Sequence, residues 1–198
     1  MTKMTAEAPL TREMILNAAE QVLRRYGPEK TSVVDIAKFL QVSHGTLYRH
    51  FPSKAALREA VTERWLYNSI LLPLQAEAEK QEGSAEVRLR LWVETLISKK
   101  RTYAAEEPEM FAMYAAVTIE AEELIKVHVN GLVRQIESIL EYGVETKEFQ
   151  SGNAANKARA FFLATSTFHH PAHAPEWKNP EIDKEFDAVW QLLLSGLR

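Results

Sequence analysis

The chain has no cysteine among its 198 residues, which excludes a disulfide framework, a thiolate zinc site and a cysteine nucleophile. A reducing compartment fits that composition. Glycine is scarce at seven residues, and no stretch alternates apolar with polar side chains long enough to propose a strand. Apolar runs are short and broken by charge, so no segment is expected to span a bilayer, and the opening MTKMTAEAPL lacks the apolar centre of a signal peptide. The expectation is a soluble, cytoplasmic chain without a membrane partner. There is also no nucleophile elbow, Walker loop, G-x-G-x-x-G or H-E-x-x-H. The chain therefore reads as a non-enzyme that carries no cofactor.

What is present is a charge asymmetry and a helical rhythm. Residues 1–64 hold ten basic against seven acidic side chains, whereas the remainder holds 14 against 20. A mildly basic unit is thus joined to an acidic one, as when only the first meets a polyanion. The period of 3.6 residues predicts an all-α protein. Thr11 caps a helix to about Tyr26, ended by Gly27-Pro28, with Arg24-Arg25 read as a solvated helix end. Ser32 with Asp35 resembles a capping box and opens a helix to about Leu40. Ser43 caps two turns from His44 to Phe51, and Ser53 caps a fourth helix from Lys54 to about Leu72, which Pro73 should kink or divide.

Longer helices follow over Val87–Tyr103, Pro108 to about Glu120, Ala121 to about Thr146, Asn153 to about Phe168, and 180–197. Ile125, His128, Val129, Leu132, Ile136, Ile139, Leu140 and Gly143 share one face of the third of these. The last carries Ile182, Phe186, Val189, Trp190, Leu193, Leu194 and Leu197 as an unbroken stripe.

Two short helices around a tight turn, SVVDIAKFLQVSHGTLYRHF at 32–51, make a helix-turn-helix. Ile36, Ala37, Leu40, Val42, Leu47 and Phe51 are placed to fix the pair. The second helix then presents Ser43, His44, Gly45, Thr46, Tyr48, Arg49 and His50 outward, and a rod about 10 Å long fits a major groove ~12 Å wide. Arg49 is suited to a guanine edge, Thr46 to a base or a phosphate, and Gly45 to close backbone approach. Ser32, Tyr48, His50 and Lys54 suit phosphate oxygens.

From Val42 to Leu57 the run V-S-x-G-T-L-Y-x-H-F-x-S-K-x-x-L resembles the DNA-binding signature of the TetR (tetracycline-repressor-like) transcriptional regulators. That resemblance is strong over residues 11–60. It implies a homodimer whose C-terminal helices pair as a four-helix bundle, a ligand pocket in the larger domain, and a fourth helix that swings. By family position it assigns Ser32, Ser43, Gly45, Thr46, Tyr48, His50 and Lys54 to DNA contact. Gln41 departs from the glycine common in the turn, and a non-glycine residue at positive φ costs on the order of 1 kcal/mol.

The division expected is 1–55 for DNA binding and 56–198 for effector binding and dimerisation, with the fourth helix as the sole join between them. Helices 153–168 and 180–197 are the expected dimer interface, an alanine-rich face against the Leu/Trp/Phe stripe. Aromatics and methionines on the central helices serve packing first. Those put forward for the effector pocket are Trp92, Met110, Phe111, Tyr114, His128, Phe162 and His169, which suits a largely apolar small molecule. His128 breaks an apolar stripe, and its alternative is a core imidazole with its nitrogens satisfied. His169, His170 and His173 can supply imidazole ligands to a metal, but Pro171 breaks the helix between them, and a helix C-terminus is the simpler reading. The reading is a ligand-responsive repressor on an inverted-repeat operator. Its rivals are an all-helical enzyme working at His128 or the 169–173 histidines, and a DNA-binding protein that acts without an effector.

Overall fold

The structure, a computed structural model, describes residues 10–80 and 83–198. The opening segment read for a signal peptide lies almost wholly outside them. Among the described residues there is no strand, as expected. Helices α1 (Arg12–Lys30), α2 (Val33–Phe39), α3 (His44–Tyr48) and α4 (Lys54–Leu66) form the N-terminal head. A π-helical turn over Tyr67–Leu71 leads into α5 (Leu72–Glu79). The body then comprises α6 (Ala85–Glu106), α7 (Pro108–Glu120), α8 (Glu122–Glu145), α9 (Ala154–Ala164), α10 (Ser166–His169) and α11 (Ile182–Leu197).

Each boundary has a local cause. Side chains of Thr11, Ser32, Ser43, Ser53, Ser84 and Asn153 accept backbone N–H groups at the helix starts, which satisfies donors that otherwise have no partner. Gly27, at φ 77 and ψ 168, breaks α1 where expected, and one further turn beginning at Pro28 is wound onto its end. At Pro73 the chain does not simply bend. Proline cannot donate to the carbonyl four residues back, so the preceding turn widens, and the Leu72 N–H bonds to the Tyr67 carbonyl five residues back. The Gln135 amide on α8 then donates to the Leu71 carbonyl at 3.0 Å while accepting from the Trp92 indole N–H at 2.9 Å. A buried glutamine thus ties the widened turn to α6 and α8.

A continuous apolar core runs from Ile15 to Leu197. Three expectations change. The recognition helix is regular only to Tyr48; beyond it the N–H groups of His50 and Phe51 both turn back to the Leu47 carbonyl. The helix from 153 breaks at Thr165, whose hydroxyl bonds back to the Phe161 carbonyl at 3.0 Å, the competition with the helix ladder that a threonine can offer. The fourth helix is also not the sole join. Arg24, exposed with Arg25 at the end of α1 as expected, forms an ion pair with Glu107 at 2.6 Å, and a Cβ on Gly27 would lie 2.4 Å from the Glu109 carboxylate.

The α11 stripe is also used differently from expectation. Phe186 packs edge-on against Phe168 and Trp190 against Phe161, at centroid distances of 5.3 and 6.2 Å. These rings are buried within one chain and are not free to meet a partner. The outer faces of α9 and α11 instead expose Leu163, Ala164, Ala188, Leu192 and Gly196.

Gly143 marks the tightest approach in the body, because a Cβ there would lie 2.2 Å from the Phe149 ring and 2.9 Å from the Ala85 methyl. Gly143→Ala should therefore destabilise the fold by about 1–3 kcal/mol through overpacking, despite the gain in helix propensity. Urea unfolding of the two proteins measures this, and an unchanged midpoint would contradict the packing described.

Candidate nucleic-acid interface and interior polar cluster

The helix-turn-helix is held from within by Ile36, Ala37, Leu47 and Phe51, all nearly solvent-free, with Leu40 and Val42 half-buried against them. Its turn closes through the Val42 N–H and the Ala37 carbonyl at 3.0 Å. Gln41 sits at φ 55, in the left-handed region that the turn demands. Asp35 completes the capping box, and its hydrogen bonds from Ser32 hold its carboxyl below the usual range.

The set expected to face outward is exposed only in part. Ser43, His44, Gly45, Tyr48, Arg49 and Lys54 are exposed, Tyr48 by 50%, while Ser32, Thr46 and His50 are half-buried. Two hydroxyls are partly engaged already, since Ser32 Oγ donates to Asp35 and Ser43 Oγ lies 2.9 Å from Thr46 Oγ1. Gly45 is informative by its emptiness. A Cβ there would meet only Ser43 Oγ, at 3.9 Å, so folding does not require glycine. Lys54 opens α4, where free backbone N–H groups favour anions.

Inside the body, Trp92, Met110, Phe111, Tyr114, His128, Phe162 and His169 are all buried. Phe111 packs on Tyr114 at 5.8 Å and Phe162 on His169 at 4.7 Å. Trp92 is drawn away from them, because its indole N–H serves Gln135. The chain of the other residues is completed by Lys100, which sequence reasoning missed. Lys100 is 1% exposed, its Nζ lies 4.0 Å from the Tyr114 ring centroid, and it has no hydrogen-bond partner among the described residues. Its signal was available: Lys100 continues the stripe Leu89, Trp92, Val93, Leu96 at the next helical step.

Burial lowers the Lys100 pKa to about 7. Burial, then the nearby Lys100 charge, pushes His169 down to about 3 and His128 well below its ordinary value. Burial also raises the Tyr114 hydroxyl. Among the described residues His128 Nε2 has no partner, so the satisfied-imidazole reading fails for that nitrogen, whereas His169 Nε2 lies 3.2 Å from Thr165 Oγ1. Beside His128 a cleft of about 90 Å³ opens between the π turn and α8, lined by Glu63, Leu66, Tyr67, Leu71, Leu124 and Val127. The three histidines at 169–173 do not converge. His169 points inward, His170 accepts from the Ala172 N–H, and His173 pairs with Glu176 at 2.8 Å.

The body also reaches the head. Trp65 on α4 stacks on Tyr103 and Tyr114 at 5.2 and 5.8 Å, and its indole N–H donates to Glu107 at 3.2 Å. Among the described residues no helix is long and apolar enough to cross a membrane.

An exposed, donor-rich helix on a helix-turn-helix head, joined to a wholly helical body, defines a DNA-binding regulator. Comparison with known proteins agrees. Residues 15–61 match the bacterial regulatory proteins of the tetR family, and residues 85–190 match the tetracyclin repressor-like C-terminal domain. The chain belongs to the TetR family of transcriptional regulators. Over 193 residues, 94% of this chain and 95% of the relative, it is 26% identical to the nucleoid occlusion factor SlmA of Vibrio atlanticus. It is 44% identical to the HTH-type transcriptional regulator UidR of Escherichia coli K12 over 61 residues, 31% of each chain. Among solved structures it is similar to the transcriptional regulator FadR of Bacillus subtilis in complex with stearoyl-CoA. There the TM-score is 0.63 at 20% identity, covering 95% of this chain and 100% of the other.

Two outcomes follow. Gly45→Ala should leave stability unchanged or raise it by up to about 1 kcal/mol, yet weaken DNA binding by holding the helix backbone off the duplex. Unfolding and gel-shift titration together check this, and unaltered affinity would contradict it. The second concerns pH. Between about 7 and 10.5 the unfolded chain holds the Lys100 proton that the folded chain has lost, so this group's contribution to stability rises across that window and its penalty is complete below it. As pH falls from 6.5 towards 3, the unfolded chain protonates the histidine equivalent to His169 while the folded chain does not, and stability is lost. Urea midpoints should show the stability gap between Lys100→Met and the parent narrowing from pH 7 to 10, and a constant gap would contradict the buried, unpaired amine.

Proposed function

We propose that this chain works as a homodimeric repressor that a small-molecule effector releases from an inverted-repeat operator. The observation that carries this reading is the exposed face of α3 on a head whose turn, caps and core are all in place for nothing else. Residues 1–55 serve as the DNA-binding unit and 56–198 as the effector and dimerisation unit. Arg49 reads a guanine edge, Thr46 serves a base or phosphate, and Gly45 brings backbone close. Ser43, His44, Tyr48, His50 and Lys54 fix the register on phosphates; Ser32 reaches the backbone through its position at the start of α2. The outer faces of α9 and α11, with Leu163 and Leu192 exposed, meet their equivalents in a second copy. Two-fold pairing sets half-site centres about 34–36 Å apart, or a multiple.

Release requires that the effector bind better to the conformer whose two α3 helices no longer match that spacing. The buried residues Met110, Phe111, Tyr114, His128, Phe162 and His169 line the effector's place, and Trp92 supports it through Gln135. A DNA-bound factor that answers to another protein is a second reading, supported by the full-length likeness to a nucleoid occlusion factor. The unpartnered nitrogens of Lys100 and His128 weigh against it, since a body used only as a docking surface has no need of them.

The test is a binding series on a duplex selected from a random pool by the protein itself. Arg49→Ala should cost about 1–3 kcal/mol, chiefly on the selected sequence, whereas Lys54→Ala should weaken all duplexes alike and reduce the salt slope by about one. Parental binding by both variants at two salt concentrations would contradict the assigned DNA face.

A further inference from the structure

We propose that the effector is a singly charged organic carboxylate on an apolar body, with its head held between Lys100 Nζ and His128 Nε2. The inference rests on the effector-responsive reading above and narrows the ligand to one class. Its basis is a pair of buried nitrogens, near enough for the Lys100 charge to act on the His128 imidazole, that no described residue satisfies. Lys100 and His128 are 1% and 7% exposed, and both atoms lack a hydrogen-bond partner among the described residues. A buried amine without a counter-charge is costly when it takes a proton, and among the described residues no carboxylate acts on this one: burial alone accounts for its altered basicity.

The charge that is missing can be bounded. His128 and His169 are both held neutral by burial and by Lys100, so the cluster offers at most one positive charge, on Lys100, and a bound anion favours its protonated form. One negative charge balances it, and a phosphate dianion would remain half uncompensated. Two nitrogens that can donate suit the two oxygens of a carboxylate, and the acidic residue of the cleft, Glu63, stands on its exposed α4 wall. Tyr114 lies over the Lys100 amine, Phe111 packs on Tyr114 and Phe162 on His169, which supplies apolar surface for the remainder of the molecule.

A way in opens beside the same imidazole. His128 forms part of the wall of the cleft between the π turn and α8. An acid entering there displaces Tyr67, Leu71 and Leu124 and reaches Lys100 past the imidazole. The turn it presses on continues α4 without a break, so occupancy bears directly on the helix that carries the DNA-binding head.

The probes are octanoate and benzoate, with octan-1-ol, benzyl alcohol and octylamine as matched neutral and cationic heads, titrated calorimetrically into the full-length protein at pH 7. At least one acid should bind ten-fold or more tightly than its alcohol, and octylamine should not bind. Lys100→Met should lose that preference at least ten-fold while unfolding at the same or a higher temperature than the parent, which separates lost recognition from lost folding. Equal binding of acid and alcohol, binding of the acid by Lys100→Met as by the parent, or binding of neither acid would each overturn the proposal. DNA binding is measured on the same preparations. A parent that selects a duplex but ignores both acids sinks this inference alone, whereas a parent that selects no duplex sinks the regulator reading and leaves the calorimetry to decide the site.

Discussion

Glu107 occupies the single residue between α6 and α7, and its carboxylate is where head and body are fastened together. It accepts the Trp65 indole N–H from α4 and pairs with Arg24 from α1, at 3.2 and 2.6 Å. Pro108 makes this position available, since the residue before a proline is kept out of the helical region, and Glu107 takes φ −127 and ψ 54. Its side chain is 23% exposed, enough to shed solvent screening in part. Moving the head relative to the body therefore strains an ion pair and a hydrogen bond at once. The same tryptophan packs on Tyr114, and Tyr114 lies over the Lys100 amine. From the DNA-binding head to the interior cluster, side chains touch without a gap.

This arrangement explains why two joins between the halves are compatible with a moving head. A π turn in the α4–α5 path is a helix with one residue too many, held open by Pro73 and by the Gln135 amide. Two residues of that turn, Tyr67 and Leu71, line the cleft at His128. Packed helices shift between discrete arrangements more readily than they deform, which gives an effector a specific element to bias.

Much of the fold was legible because local chemistry decides it. Thr11, Ser32, Ser43, Ser53 and Asn153 each cap the helix that their position announced, and Gly27 stops the first one. The helix-turn-helix was legible for the same reason: its apolar residues and donors lie within twenty residues of each other. What escaped depended on distance or on competition. Arg24 and Glu107 are far apart in sequence, so the exposed helix end gave no sign of the ion pair it makes. The stripe on α11 announced burial correctly but could not say against what, and it is spent inside its own chain. Lys100 stood on an apolar stripe, where a lysine ordinarily carries its charge out to solvent along a flexible stem, and its full burial emerges only once Tyr114 closes over it. Thr165 broke a helix that propensity alone would have continued.

The central claim is that α3 enters the major groove of duplex DNA twice per dimer. Guanine N7 lies on the floor of that groove, so its protection from methylation on a duplex selected by the protein tests the claim directly. The account predicts two clusters of protected N7 atoms related by a dyad, their centres about 34–36 Å apart or a multiple of that distance. A single unsymmetric cluster, or a bound duplex whose N7 atoms all remain reactive, would contradict it.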